Sequence, residues 1–372
     1  MFQPRYVKQA KELAHGARKL LRYRRDLMSA ETLEQISGRI EALRQAVAAR
    51  DKQLALDSMQ RLEQACAGVA PRYKHPGWRE NIEVLLVAIV VAAGIKAYFL
   101  QPFKIPTGSM QPTLNGVIGY PRDEPAPNPL LQVWQFIWNG RNYIDLVSEV
   151  DGNRVLELRK QQRLHFFTFT QLVCKDGVHT LMAPPATLMR DFGVGPDKVY
   201  NKGDVIARGY IDTGDQVFVD KMSYHFRKPR RGEVFVFKTT GIRKIQQGRD
   251  PAMGSQFYIK RLCGMPGDTL RIDPPKLLVD GEVPGAMGIA RVIDAENGYR
   301  GYSNRSATGG RFEFLGTPSA TFTVPSHSYF ALGDNSYNSS DSRHWGVVPE
   351  RNLVGRGFVV YWPFGQNFGL ID

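Results

Sequence analysis

Ser109 lies in the stretch Pro106-Thr107-Gly108-Ser109-Met110-Gln111-Pro112-Thr113-Leu114, a serine between two prolines and beside a glycine. That setting exposes a hydroxyl and fixes its conformation. A serine in a Gly/Pro turn is ordinarily only a turn residue, so a nucleophile requires a base elsewhere in the chain. The seven histidines show no triad signature, and neither GxSxG nor HExxH occurs. Lysine is the better candidate. Phe257-Tyr258-Ile259-Lys260-Arg261-Leu262 reads as a strand whose period of two puts Lys260 on one face with Tyr258 and Leu262. An amine on an apolar face is desolvated, which lowers its pKa toward the range where it can accept a proton from Ser109. The same spacing also fits a lysine that snorkels from a sheet edge.

Metal and disulfide chemistry are not expected. Cys66, Cys174 and Cys263 form no CxxC pair and have no histidine at metal-ligand spacing, and at most one disulfide, Cys174 to Cys263, is conceivable.

The elements that position these residues begin with a helical stretch over 5–67. Leu33, Ile36, Ile40, Leu43 and Val47 recur at steps of three and four, followed by Leu54, Met59 and Leu62, and Ser29 is an N-cap candidate. A helical hairpin or short coiled coil is expected. From Ile82 to Leu100 the chain reads IEVLLVAIVVAAGIKAYFL, charged only at Glu83 and Lys96. At about 1.5 Å per residue this run spans roughly 30 Å, the thickness of a bilayer core. Beyond it come short alternating runs with Asp-Gly turns at 151–152, 176–177 and 280–281, the pattern of an antiparallel β domain. Segments 141–148, 153–159, 164–174 and 178–183 are expected as paired hairpins, with linkers at 121–129 and 184–204.

With 372 residues and 42% apolar content the chain can bury a sizeable core. Its net charge of +13 is uneven: residues 1–80 hold 16 Lys+Arg against 9 Asp+Glu, a net of +7, directly before the apolar run. This placement matches a positive-inside flank rather than a nucleic-acid surface, so residues 1–80 are expected in the cytoplasm and everything after Leu100 on the exoplasmic side.

Four ordered segments resemble the conserved boxes of signal peptidase I. Thr107 to Thr113 resembles the nucleophile motif. Gly214 to Lys221, continuing at Pro229 to Val234, resembles the next box, and Tyr258 to Asp268 the lysine box. Gly333-Asp334-Asn335-Ser336 with Ser339-Ser340-Asp341-Ser342-Arg343-His344-Trp345-Gly346 resembles the last. The resemblance implies an antiparallel β catalytic domain behind one transmembrane helix, Ser109 as nucleophile and Lys260 as general base. It implies an oxyanion hole from the Ser109 N–H and the Thr107 hydroxyl, Ser339 orienting the lysine, Asp341 and Arg343 as a supporting ion pair, and Tyr258 walling off Lys260. It implies signal peptides of exported preproteins as substrates, bound as an added strand with small residues at the first and third positions before the cut. The bilayer is the expected partner, the bacterial inner membrane the expected location, and no cofactor or metal is expected.

The resemblance covers 82–114, 211–284 and 323–363. The expected layout is a cytoplasmic helical region at 1–80, a membrane helix at 81–101, a catalytic β domain at 102–114 and 211–372, a β insertion at 115–210 and a smaller insertion at 285–322. Within the larger insertion Leu130, Leu131, Val133, Trp134, Phe136, Ile137 and Trp138 are expected to pack into its own core, contact with a membrane surface being the other reading. A narrow-specificity maturation protease and a catalytically silent binding module are the alternative functions.

Overall fold

The structure, a computed structural model, describes residues 4–69, 76–163, 167–196, 198–246 and 256–372. The chain divides into two compact units, 1–88 and 89–372.

In the first unit the expected hairpin is instead three helices, α1 (Arg5–Arg24), α2 (Ala30–Ala48) and α3 (Lys52–Val69). Alanines 10, 14 and 17 give α1 a narrow small-residue stripe that packs with Ile36, Ile40, Leu43 and Leu62. Ser29 caps α2, its Oγ accepting from Thr32 N at 3.3 Å, and Asp51 Oδ1 accepts from Leu54 N at 3.0 Å at the start of α3. These caps, with a 3-10 turn at Arg25–Leu27 and a positive φ at Arg50, break a periodic run that reads as two helices. Leu54, assigned to the seam by its spacing, faces solvent.

Helix α4 (Pro76–Tyr98) supplies nearly all of Asn81–Phe99, the one span among the described residues long and apolar enough to cross a membrane.

The second unit continues with β1 (Leu100–Lys104) and then an excursion. This comprises β2 (Ile118–Pro121), α5 (Pro129–Asn139), β3 (Arg141–Val147), β4 (Asn153–Arg163), β5 (Phe167–Cys174), β6 (Gly177–Leu181), α6 (Pro185–Asp191), β7 (Val199–Tyr200) and β8 (Val205–Asp212). Two antiparallel sheets, ordered β2-β8-β3 and β6-β5-β4-β7, close over Val155, Leu172, Leu188, Ile206 and Ile211. Two expectations are corrected here. β3 pairs with β8 rather than with its sequence neighbour. The stretch expected as a linker at 184–204 carries α6, started by Pro185, and β7. The start of the strand expected at 164 lies outside the described residues.

The aromatic run is also not core. Residues 129–139 form α5, capped by Asn128, whose Oδ1 accepts from Leu131 N at 2.9 Å, and ended by Gly140 at φ 63. None of its residues is buried; Leu130 is 85% and Trp134 56% exposed. The strands fill the insertion's interior without it.

After the excursion come β9 (Gln216–Asp220), β10 (Val234–Lys238), β11 (Phe257–Gly264), β12 (Thr269–Asp273), β13 (Lys276–Val279), β14 (Thr321–Thr323), β15 (Ser328–Leu332), β16 (Val348–Pro349), β17 (Leu353–Trp362) and β18 (Gly369–Leu370). The main sheet runs β1-β9-β17-β10-β11-β15-β16, with β18 on β17; a smaller sheet runs β13-β12-β14, and every described pairing is antiparallel. Segment 285–322 is not a separate body. Its Ile289, Val292, Tyr302 and Leu315 share one cluster with Cys263, Leu270 and Phe330.

Candidate active site

Ser109 occupies a single 3-10 turn, Gly108–Met110, which follows β1 by three residues. The turn is pinned from below: Met110 and Leu114 are fully buried among Val217, Val219, Val234 and Val236. It is pinned from behind by Gly116, where a Cβ would lie 2.2 Å from the Thr107 carbonyl carbon, so the chain passes where only glycine fits. Ser109 itself is half-buried and Thr107 exposed.

Lys260 sits on β11 opposite Phe235 of β10, and Tyr258 sits opposite Phe237. Alternation puts Lys260, Tyr258 and Leu262 on one face, against Phe235, Phe237 and Trp345. Lys260 is only 5% exposed and its Nζ lies 5.5 Å from the Tyr258 ring centroid. The amine does not snorkel. Nζ reaches Ser109 Oγ at 2.7 Å and donates to the Ile259 carbonyl at 2.9 Å. Burial pulls its pKa down to about 8; the charges of Asp341 and Asp334 oppose that shift, and Arg343 adds to it.

Thr107 Oγ1 lies 3.5 Å from Ser109 Oγ, on the same side of the turn. Asp341 and Arg343 form a wholly buried bidentate pair, Nε to Oδ1 at 2.8 Å and Nη2 to Oδ2 at 2.6 Å. Burial would raise the Asp341 carboxyl, but the Arg343 charge and hydrogen bonds outweigh it and hold the pKa below the usual carboxylate value. Arg343 also donates to Ser303 O and to Ser336 Oγ and O, each at 2.7 Å. Ser339 Oγ is buried within electrostatic reach of Asp341 but makes no well-aligned hydrogen bond to any described residue, Lys260 included. Gly333 permits this crowding: a Cβ there would fall 2.2 Å from Ser339 Oγ and 2.5 Å from the Ser109 carbonyl.

Further positioning residues lie inside the resembling boxes without having been assigned a part. Asn335 Nδ2 donates to Gly108 O at 3.1 Å and Asn335 N to Ser109 O at 3.2 Å, clamping both peptides around the serine. Arg261, on the opposite face of β11 from Lys260, makes a second buried bidentate pair with Asp334, at 2.8 and 2.6 Å. Thr113 donates to that same carboxylate. An arginine inside an otherwise apolar strand was the available signal, because a buried guanidinium requires an acid. The four boxes thus converge on one place, joining residues up to 227 positions apart.

A serine hydroxyl held against a buried lysine amine fits the pairing of nucleophile and base that serine peptidase chemistry needs. Residues 208–362 match the family described as signal peptidase, peptidase S26. A signal peptidase I of Leptolyngbya laminosa is 33% identical over 156 residues, 42% of this chain and 64% of the relative. A signal peptidase I of Pseudomonas aeruginosa is 32% identical over 187 residues, 41% of this chain and 61% of the relative. A probable thylakoidal processing peptidase 2 of Arabidopsis thaliana is 31% identical over 153 residues, 41% of this chain and 35% of the relative. The chain therefore spans less than two thirds of the length of these relatives.

Proposed function

We propose that the chain is a membrane-anchored serine endopeptidase that removes signal peptides from exported preproteins after small-x-small sites. The observation that carries this reading is the 2.7 Å contact between Ser109 Oγ and a desolvated Lys260 amine whose pKa is brought to about 8. At pH 7 about one amine in ten is then neutral, against fewer than one in a thousand for an exposed lysine.

The neutral Nζ accepts the Ser109 hydroxyl proton as Oγ attacks the scissile carbonyl, and the resulting ammonium passes that proton to the leaving amine. A water then attacks the acyl carbonyl and gives its proton to Lys260, which returns it to Ser109 Oγ as the acyl–Oγ bond breaks and the acid product leaves. The developing oxyanion is held by the Ser109 N–H and the Thr107 hydroxyl, a type of donor worth about 3 to 4 kcal/mol. Asn335 and the two buried ion pairs keep the serine turn and β11 in register, and Ser339 is assigned to orient the amine. β1, three residues before the serine turn, ends the main sheet with β9 as its only strand neighbour among the described residues. Its other edge suits an extended peptide added as a strand. The apolar helix Asn81–Phe99 serves as anchor, with residues 1–80 cytoplasmic.

The test is cleavage of a purified preprotein by the detergent-solubilised full chain and by Ser109→Ala, with the new N-terminus read by mass spectrometry. A cut after a small-x-small sequence, lost in the variant, is the expected result. A cut that persists in Ser109→Ala, or none by folded wild type on several preproteins, would sink the proposal.

A further inference from the structure

The turn between β5 and β6 gathers three side chains of metal-ligating type that the peptidase chemistry does not use. Cys174 ends β5, Asp176 stands in the two-residue loop, and His179 lies in β6. Their Sγ, carboxylate oxygen and ring nitrogen all lie within 4.8 Å of one another. The ladder explains the meeting. Cys174 pairs with Gly177 and Leu172 with His179, so alternation turns His179 to the same inner face as Cys174 and Leu172.

The surroundings are unusual for a solvated turn. The Asp176 side chain is 2% exposed, with Oδ1 3.0 Å from His179 Nε2, and Oδ2 accepts from Glu149 N at 3.4 Å. The Cys174 side chain is buried, and its Sγ lies within 4.8 Å of that carboxylate. The fully buried Asn153 fixes the loop, its Oδ1 accepting from Lys175 N at 3.0 Å. A buried acid, a buried thiol and an imidazole converging on one point are a donor set that a cation completes.

We propose that Cys174, Asp176 and His179 bind one Zn²⁺ ion, with water in the fourth tetrahedral position. A thiolate, an imidazole and a carboxylate suit zinc, whereas calcium and magnesium take oxygen ligands. Ligand atoms on a tetrahedral zinc lie roughly 3.3 to 3.7 Å apart, given bonds of about 2.0 to 2.3 Å. The spread of up to 4.8 Å closes with about 1 Å of side-chain movement, and the thiol proton is released as the ion enters. The sequence segment is Cys-x-Asp-x-x-His, a spacing without metal character in a helix or loop, which the two-residue hairpin turn converts into a cluster.

The experiment titrates the purified full chain in detergent with Co²⁺, reading the near-ultraviolet thiolate-to-cobalt absorption and the bound metal by elemental analysis. One equivalent of Co²⁺, displaced by Zn²⁺, is expected for wild type and for Cys66→Ser, with the absorption lost in Cys174→Ser and affinity at least about tenfold weaker in His179→Ala. Preprotein cleavage by His179→Ala should be unchanged, separating this proposal from the peptidase reading. No stoichiometric uptake by wild type overturns it, as does thiolate absorption that survives in Cys174→Ser or undiminished affinity in His179→Ala.

Discussion

Lys260 and Arg261 are neighbours on one strand and are held in opposite electrical states. Lys260 faces aromatic rings and loses part of its hold on a proton, whereas Arg261 faces Asp334 and stays charged, its pKa raised. The first prediction concerns rate. In the proposed mechanism the working form of Lys260 is the neutral amine, so kcat/KM should climb about tenfold per pH unit below pH 8 and level off above it. A profile flat from pH 6 to 9 would remove the lysine from the base role. The second concerns stability. Between the folded value near 8 and the ordinary value of 10.5 the unfolded chain holds more protons than the folded one, so stability rises with pH across that window. Below it the buried ammonium carries its whole penalty. Lys260→Met should therefore be inactive yet more stable at pH 7, by up to about 3 kcal/mol, and the advantage should shrink toward pH 10 in urea titrations. The lysine was legible through the resemblance of its box, because period-two alternation put it on one face with Tyr258 and Leu262 but fitted a snorkelling lysine as well. Arg261 with Asp334 was not, because nothing in a linear pattern says which of 36 acids will meet a given arginine.

At the scale of elements, the short helix Ser342–Trp345 shows how a loop is made rigid without a large core. Asp341 caps it through Arg343 N at 3.2 Å while also binding the Arg343 guanidinium and Gly333 N. Arg343→Ala leaves that carboxylate buried and alone, and should cost about 3 to 5 kcal/mol of unfolding free energy. A loss under 1 kcal/mol would show the pair to be dispensable. Helix α5 behaves in the opposite way. Leu130→Gln should change stability by no more than about 0.5 kcal/mol, since Leu130 is exposed; a loss above 2 kcal/mol would put α5 back in a core. No helix was expected at α5, although Asn128, Pro129 and Gly140 carry its cap signals. Its facing was not readable: a run of tryptophans and leucines reads the same whether it fills an interior or covers an outside.

For the whole molecule, the strand-rich part was legible from alternation and Asp-Gly turns, whereas the number of N-terminal helices was not, because caps at Ser29 and Asp51 interrupt a pattern that hydrophobic spacing carries across. Each unit has its own core. Deleting residues 1–75 should leave kcat/KM on a preprotein in detergent unchanged, and a large drop would mean that the N-terminal helices support catalysis.

The separation of 227 positions between Gly108 and its clamp Asn335 has a bearing on synthesis. A ribosome adding about 5 to 20 residues per second needs on the order of 10 to 50 s to travel from one to the other. Throughout that interval the nascent chain has a serine with no amine beside it and, later, an amine with no clamp. The proposed dyad is therefore born incomplete, and the chain's own length sets the delay before Ser109, Lys260 and the Asn335 clamp can meet.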